Sequence, residues 1–269
     1  MLLSEVAYTR PASVDDAVRL LAEHDGARPL AGGQTLINVM KARAAAPDVL
    51  VDLADLDELR SVSVGPEGGL ELGPMTTCTE LIRSSAVNEK RPILAEVAAQ
   101  IADVQVRNRG TIGGNVCSND PTNHFPPVLV AAGATMTIAS TAGERDVPAE
   151  EFFLGVYLTA CGPGELLTRI AVPPAEEGDG FASVAIGVDG TCIVNAAATV
   201  RDGHARVALG CVAAAPVLLT AAADEGAVRE AVRGAGLEPP SDLHGPAEYR
   251  RRLADVVAAR AVANAMGAS

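Results

Sequence analysis

RPLAGGQTLINVMKAR (residues 28–43) reads as a strand, a glycine turn and an apolar-periodic segment in immediate succession. Arg28–Leu30 is the strand and Ala31–Thr35 the turn. Leu36, Ile37, Val39 and Met40 carry the periodic segment, which ends near Ala46-Pro47. Upstream, SVDDAVRLLAEHDG (13–26) predicts a helix. Ser13 is its N-cap, acids fill the first turn, Val14, Ala17, Val18 and Leu21 share one face, and Gly26 stops it. Downstream, DVLVDL (48–53) reads as a second strand. The first ~55 residues therefore form a small α/β unit with a glycine turn at its middle.

Further along, Leu59–Gly73 reads as a hairpin, SVSV and LELG joined by PEGG. Thr77 and Glu80 make a capping box for a helix through Ile82. Pro92 opens ILAEVAAQIA. The apolar pattern then breaks at DVQVRNRG, and a second glycine turn follows, TIGGN (111–115). Asp120-Pro121 opens a short helix that Gly133 closes, and ATMTIAS (134–140) is a strand. PPAEEGDG (173–180) reads as a boundary. Beyond it, Phe181–Ile186, Cys192–Arg201 and Ala205–Val212, separated by Asp189-Gly190 and Asp202-Gly203, predict a three-stranded antiparallel meander. Two helices follow, Asp224–Arg233 and Pro246–Met266. No repeat of fixed period is present.

Composition narrows the function. The 269 residues are 48% hydrophobic and only 3% aromatic, with no Trp, so the core must be built from Ala, Val, Leu and Ile. A net charge of -13 argues against nucleic acid as a partner. The longest apolar run, Val128–Ala139, is interrupted by Gly133 and is too short for a membrane span. No signal peptide is evident at the N-terminus. The five cysteines (Cys78, Cys117, Cys161, Cys192, Cys211) are scattered, with no CxxC pair and no metal-ligand spacing. Reduced thiols in a cytoplasm are expected.

The two glycine pairs, Gly32-Gly33 and Gly113-Gly114, are the candidate chemistry. Without a Cβ, a backbone can approach a ligand closely and turn consecutive N–H groups onto one anion. One such turn is ordinary. Two, each with a threonine neighbour (Thr35, Thr111), would clamp the two phosphates of a pyrophosphate from either side. Neither matches the Rossmann or P-loop pattern, and no nucleophile elbow or zinc-protease motif is present. His24, His204 and His244 read as solvated residues. His124 stands apart because it lies just past TIGGN. Arg107 and Arg109 flank the second turn. They read equally as a solvated loop pairing with Asp103 or as a positive field beside a bound anion.

PLAGGQTLINVMKAR (29–43) and VRNRGTIGGNVCSNDPTNHFPP (106–127) closely resemble the two FAD-binding segments of the flavoprotein (medium) subunit of molybdenum hydroxylases, the carbon monoxide dehydrogenase and xanthine dehydrogenase family. GPMTTCTEL, LLTRIAVP and YRRRLADVVAARA fit the same resemblance, which spans nearly the whole chain. It implies an α+β fold. A vanillyl-alcohol-oxidase-like (PCMH) FAD-binding domain has two subdomains, residues 1–56 and 57–174, and a small α/β C-terminal domain occupies 175–269. It implies FAD as cofactor, with Pro29, Leu30, Ala31, Gly32, Gly33, Gln34, Thr35 and Leu36 as the first pyrophosphate loop. Thr111, Ile112, Gly113, Gly114 and Asn115 would form the second. Ile101 aligns with an apolar residue near the cofactor, Leu167 with one at the adenosine or flavin end, and Ile193 with a side chain against the isoalloxazine ring.

Two departures stand out. Where the family usually has an acid bonding the cofactor's sugar, this chain has His124, with Asn123 beside it and Asp120 earlier. Where family members often carry a lysine, it has Ala185. The resemblance further implies an electron-transfer role. Electrons from a molybdopterin centre in a large partner would pass through two [2Fe–2S] clusters in a small partner to FAD here. They would leave to a quinone, O2 or NAD+, in a dimer of heterotrimers. Substrate is decided in the large subunit, and CO, purines, aldehydes, N-heterocycles and aromatic acyl thioesters all stay open. No catalytic acid or base is required of this chain, because the cofactor does the redox chemistry. The rival readings are a stand-alone flavin oxidoreductase and a non-enzymatic module that has lost FAD.

Overall fold

The computed structural model describes residues 3–187 and 190–267. Three larger sheets follow one another along the chain, with a two-stranded ribbon set within the second. In the first, β1 (Ala7–Thr9) and β2 (Ala27–Leu30) flank β3 (Val49–Asp52), all parallel. Parallel neighbours need crossovers, and the helix Val14–Glu23 is one of them. Ser13 Oγ accepts from the Asp16 N–H, Asp15 and Asp16 occupy the first turn, and Ala17, Val18 and Leu21 are buried, as the sequence predicts. The second crossover passes through Ala31–Thr35 into the helix Leu36–Lys41, shorter than the apolar periodicity suggests. β1 was not among the predicted strands.

The second sheet is antiparallel. β4 (Val62–Val64) and β5 (Leu70–Leu72) are the predicted hairpin, paired Val62↔Leu72 and Val64↔Leu70. β6 (Thr135–Ser140) and β7 (Gly143–Pro148) form a second hairpin. After a small ribbon, β8 (Phe153–Gly155) with β9 (Leu158–Thr159), the chain returns as β10 (Leu166–Val172) between β5 and β6. Helices from residue 78 to residue 132 cover this sheet. Thr77 and Glu80 close the expected capping box on Cys78–Arg83. Phe125–Ala132 is buried along its whole length, which is why it shows no polar face. It opens at His124, not at Asp120-Pro121. Asp120 Oδ1 instead accepts from the Thr122 N–H and hydroxyl in a local turn that comes before the helix. Gly133 closes the helix at φ 68°.

The third sheet is an antiparallel meander, β11 (Gly178–Ala185), β12 (Cys192–Arg201), β13 (His204–Gly210) and β14 (Val217–Ala222). The three predicted strands are present, and β14 adds a fourth. Asp202 and Gly203 sit at φ 49° and 70°, the geometry of a two-residue hairpin turn whose twist suits its strands. Asp189, of the other predicted turn, lies outside the described residues. Helices Glu225–Gly234 and Ala247–Ala265 follow the sheet. Residues of both, among them Val228, Val257 and Ala261, share one apolar core with Val194 and Ala196 of β12. On the other side, Ala197 and Ala208 join the core of Phe125, Leu129 and Met136. A buried ion pair crosses the same seam: Arg91 meets Asp179 at 2.7 Å, with 1% and 8% of their side chains exposed. Among the described residues, no helix is long and apolar enough to cross a membrane.

Candidate functional site

The first glycine segment leaves the carboxyl end of β2, where parallel sheets present their ligand-binding loops. Pro29 and Leu30 are the last residues of the strand, and Leu36 begins the helix. Gly33 has φ +72°, a conformation that side chains other than glycine's resist. Among the described residues, none of the backbone N–H groups from Gly32 to Thr35 donates to a protein acceptor. Unpaired donors in a row, on a partly buried turn, form a nest suited to an anion.

The second segment is built differently. Thr111 is an N-cap, not a turn residue, and Gly113 and Gly114 lie in the first turn of the helix Ile112–Ser118. Their N–H groups are spent within the protein. Ile112 donates to Thr76 O, Gly113 to Pro74 O, Gly114 to Thr111 Oγ1 and Asn115 to Thr111 O, all within 2.8–3.0 Å. The sequence expectation of two equivalent amide cradles is corrected here. Gly113 is required because a Cβ would lie 2.3 Å from Pro74 Cβ and 2.6 Å from Pro74 O. Gly114 faces the first segment: a Cβ there would press on Thr111 Oγ1 at 3.0 Å and touch Ala31 Cβ at 3.7 Å, narrowing what separates the two.

That last distance shows the two segments side by side. Gly32 seals the contact, since a Cβ on it would lie 2.0 Å from Arg109 O. A cleft of about 250 Å³ opens beside the first loop, lined by Leu30–Gln34, Ile37, Asn38, Lys41, Asp52 and Arg109. Arg109 is exposed at its rim, whereas Arg107 turns back to the carbonyls of Ile101 and Ala102. Asn115 carries a buried side-chain oxygen with no partner among the described residues. A buried amide oxygen calls for a donor, and a sugar hydroxyl would supply one. The unspent amides of Gly32–Thr35, the space over Gly114 and the Asn115 oxygen together suit a molecule with phosphates and hydroxylated sugars, as FAD has.

The segment after the second helix folds back onto it. Asn123 Nδ2 donates to Asn115 O at 2.8 Å and Ser118 Oγ at 3.1 Å. Asp120 is engaged by Thr122 and, at 2.9 Å, by the Tyr157 hydroxyl. His124 lies against Phe181 with ring centroids 5.2 Å apart. Burial pushes its imidazole below the ordinary range, against the smaller opposing effect of the Thr122 carbonyl. His124 is therefore a neutral hydrogen-bonding group near pH 7 and not a charge.

Three further predicted contacts do not line the cleft beside the first loop. Ile101 is half-buried against the main core and its carbonyl takes Arg107. Leu167 is buried in that core, opposite Ile138. Ile193 is buried in the core of the meander. Ala185 is exposed and pairs with Cys192. Sequence reasoning missed Pro74 and Thr76, whose carbonyls fix the second helix. A proline before a capping box was the available signal. It also missed Asn195, which reaches Asn123 O at 3.1 Å across 72 residues, a contact with no local signature.

Residues 4–175 match the family described as the FAD binding domain in molybdopterin dehydrogenase. The carbon monoxide dehydrogenase medium chain of Afipia carboxidovorans is 40% identical over 284 residues, covering 98% of both chains. The nicotine 6-hydroxylase medium subunit of Paenarthrobacter nicotinovorans is 32% identical, covering 98% of this chain and 99% of its own. Among solved structures, reconstituted CO dehydrogenase from Oligotropha carboxidovorans superposes with a TM-score of 0.93 at 36% identity over the whole of both chains. Quinoline 2-oxidoreductase from Pseudomonas putida 86 gives 0.92 at 34%, covering 100% of this chain and 99% of its own. The chain belongs to this family, as an FAD-binding medium subunit of the molybdenum hydroxylases and hence part of an oxidoreductase.

Proposed function

We propose that this chain is the electron-transfer flavoprotein of a heterotrimeric molybdenum hydroxylase. A small subunit with [2Fe–2S] clusters would deliver electrons from a large molybdopterin subunit, and an external acceptor would remove them. When bound, FAD supplies the redox chemistry that links these one- and two-electron partners. The chain's own residues bind, orient and shield. The unspent amides of Gly32–Thr35 take the pyrophosphate, flanked by Pro29–Ala31 and Leu36. Thr111–Asn115 closes the opposite side through the space over Gly114, and the Asn115 side chain takes a sugar hydroxyl. We assign Asp120 and neutral His124 to the cofactor's sugar, a reading supported by Asn123 between them and Asn115. The start of β12, at Ile193, forms the wall nearest the flavin ring, with Ile101 and Leu167 behind the site. A division at residues 56 and 174 is supported by the breaks between β3 and β4 and between β10 and β11.

The observation that carries this reading is the run of amides from Gly32 to Thr35 with no protein acceptor among the described residues, in a loop whose Ala31 faces Gly114. Its test is the visible spectrum of the purified chain, together with the identity of co-purifying chains. A stoichiometric flavin and partners containing iron, sulfide and molybdenum are expected. A colourless, fully folded chain would refute the binding assignment. A flavin-bound chain that turns over substrate alone would refute the relay.

A further inference from the structure

Arg250, on the helix Ala247–Ala265, is 3% exposed, a buried charge outside both glycine segments. Its guanidinium donates to Ile193 O at 2.6 Å, to Cys211 O at 3.5 Å and to Asp242 Oδ2 at 2.6 Å. Nε is also buried, with no partner among the described residues. The ladder between β12 and β13 stops at Asn195↔Gly210, so Ile193 and Cys211 lie just beyond it. Where the backbone ladder has ended and only the Cys211 thiol still reaches across to Cys192 O, at 3.7 Å, Arg250 ties both strands to the helix.

The same two strand ends grip the segment that follows the second glycine motif. Cys211, held at φ +65°, points its thiol at Pro121 O, 3.0 Å away. Asn195 reaches Asn123 O, and Asn123 in turn holds Asn115 O. A chain of direct contacts thus runs from Arg250 through β12 and β13 to Asn115. A buried guanidinium is costly to desolvate, and an apolar residue would fill the space at lower cost. Its partner Asp242 is 42% exposed on a loop, which returns little of that cost.

We infer that Arg250 is a positioning residue for the flavin site, fixing the Ile193 end of β12 and, through Cys211 and Asn195, the Pro121–Asn123 segment. The inference rests on the reading that FAD binds between the glycine segments with β12 as one wall.

The test compares the full-length parent with Arg250→Met, Arg250→Lys and Asp242→Asn. Arg229→Met serves as control: it breaks an ion pair with Asp255 on the same helix, away from these strand ends. FAD affinity of the deflavinated protein, the visible spectrum and the reduction potential of bound FAD are measured beside thermal melting. Arg250→Met should weaken FAD binding about tenfold, the scale of one hydrogen bond to a charged group. It should also shift the flavin bands and potential. Arg250→Lys should recover part of the affinity, and Arg229→Met should move melting alone. Should Arg250→Met fail to fold, Asp242→Asn decides, because it frees the guanidinium on its solvent side and should move the potential in the same direction. Spectrum, potential and affinity all unchanged in the folded variants, even with lower melting temperatures, would overturn the inference while leaving FAD binding intact. A parent that takes up no FAD would remove the earlier reading and this one together.

Discussion

Replacing Arg91 by alanine should loosen the seam between the second and third sheets more than any surface change could. The guanidinium donates to Pro173 O at 2.6 Å, Pro174 O at 3.3 Å, Asp179 Oδ1 at 2.7 Å and Thr199 Oγ1 at 3.0 Å. Alanine removes every one of these donors. It also leaves the Asp179 carboxylate buried, with one oxygen already unpartnered and the other holding only the Thr199 hydroxyl. Breaking a buried pair in this way costs about 3–5 kcal/mol, because the surviving charge is uncompensated. For a chain of this size each kcal/mol moves the melting temperature by roughly 2–4 °C, so a fall of roughly 6–20 °C is expected. Differential scanning calorimetry of the parent and of Arg91→Ala measures it. The double variant Arg91→Met, Asp179→Asn removes both charges and fills much of the volume, so it should recover more than half of the loss. A single variant melting within about 2 °C of the parent would show that the pair carries no net weight and that apolar packing alone holds the seam.

Three other outcomes follow from individual groups. Gly33→Val forces a β-branched residue to φ +72°, at about 1–3 kcal/mol, and fills the first loop, so the chain should fold yet lose its flavin, read as absorbance per protein after gel filtration. His124 binds its proton less readily when folded than its ordinary 6.5, so its share of stability is complete above that value and falls away as pH drops below it. Melting measured between about pH 7 and pH 5 should accordingly decline more steeply in the parent than in His124→Gln. Burial pushes the Cys78 thiol up to about 11, so it should resist native alkylation near pH 8 while Cys161, half-buried, reacts first, as peptide mass mapping would show.

Local chemistry was legible in the sequence, and contacts across long separations were not. The cap at Ser13, the box at Thr77 and Glu80, and the Asp202-Gly203 turn each reside in a few adjacent residues, and each forms as read. β1 escaped because Ala7–Thr9, two exposed residues and one half-buried, carry no alternation, and only pairing with β3 makes them a strand. β14 escaped because its two faces look alike in sequence: Val217, Leu219 and Ala221 pack against the core of the meander, while apolar Leu218 packs against the main core on the other side. The helix after Asp120-Pro121 was displaced because an aspartate that could cap a helix instead closes its own turn on Thr122.

The glycine pairs show the same limit within the site itself. Written out, GGQT and TIGGN are alike, and nothing in either says which atoms its missing Cβ must clear. In the fold, Gly32 and Gly113 are packing residues pressed on the backbone of Arg109 and Pro74, Gly33 supplies a left-handed turn, and Gly114 leaves a gap facing Ala31. The threonines separate as well. Thr111 spends its hydroxyl capping Gly114, whereas Thr35 makes no side-chain cap bond. A substitution at Gly32 or Gly113 therefore tests folding, and only Gly33 and Gly114 test binding. Valine at Gly114 makes the sharper case of the two. Its backbone is helical, and a Cβ would press on the capping Thr111 Oγ1 at 3.0 Å before reaching Ala31, so a normal melting curve is needed to show that the cap survives; loss of flavin from such a Gly114→Val chain then reports the space between the two loops. Full retention of flavin by that variant would place the phosphates on the first loop alone.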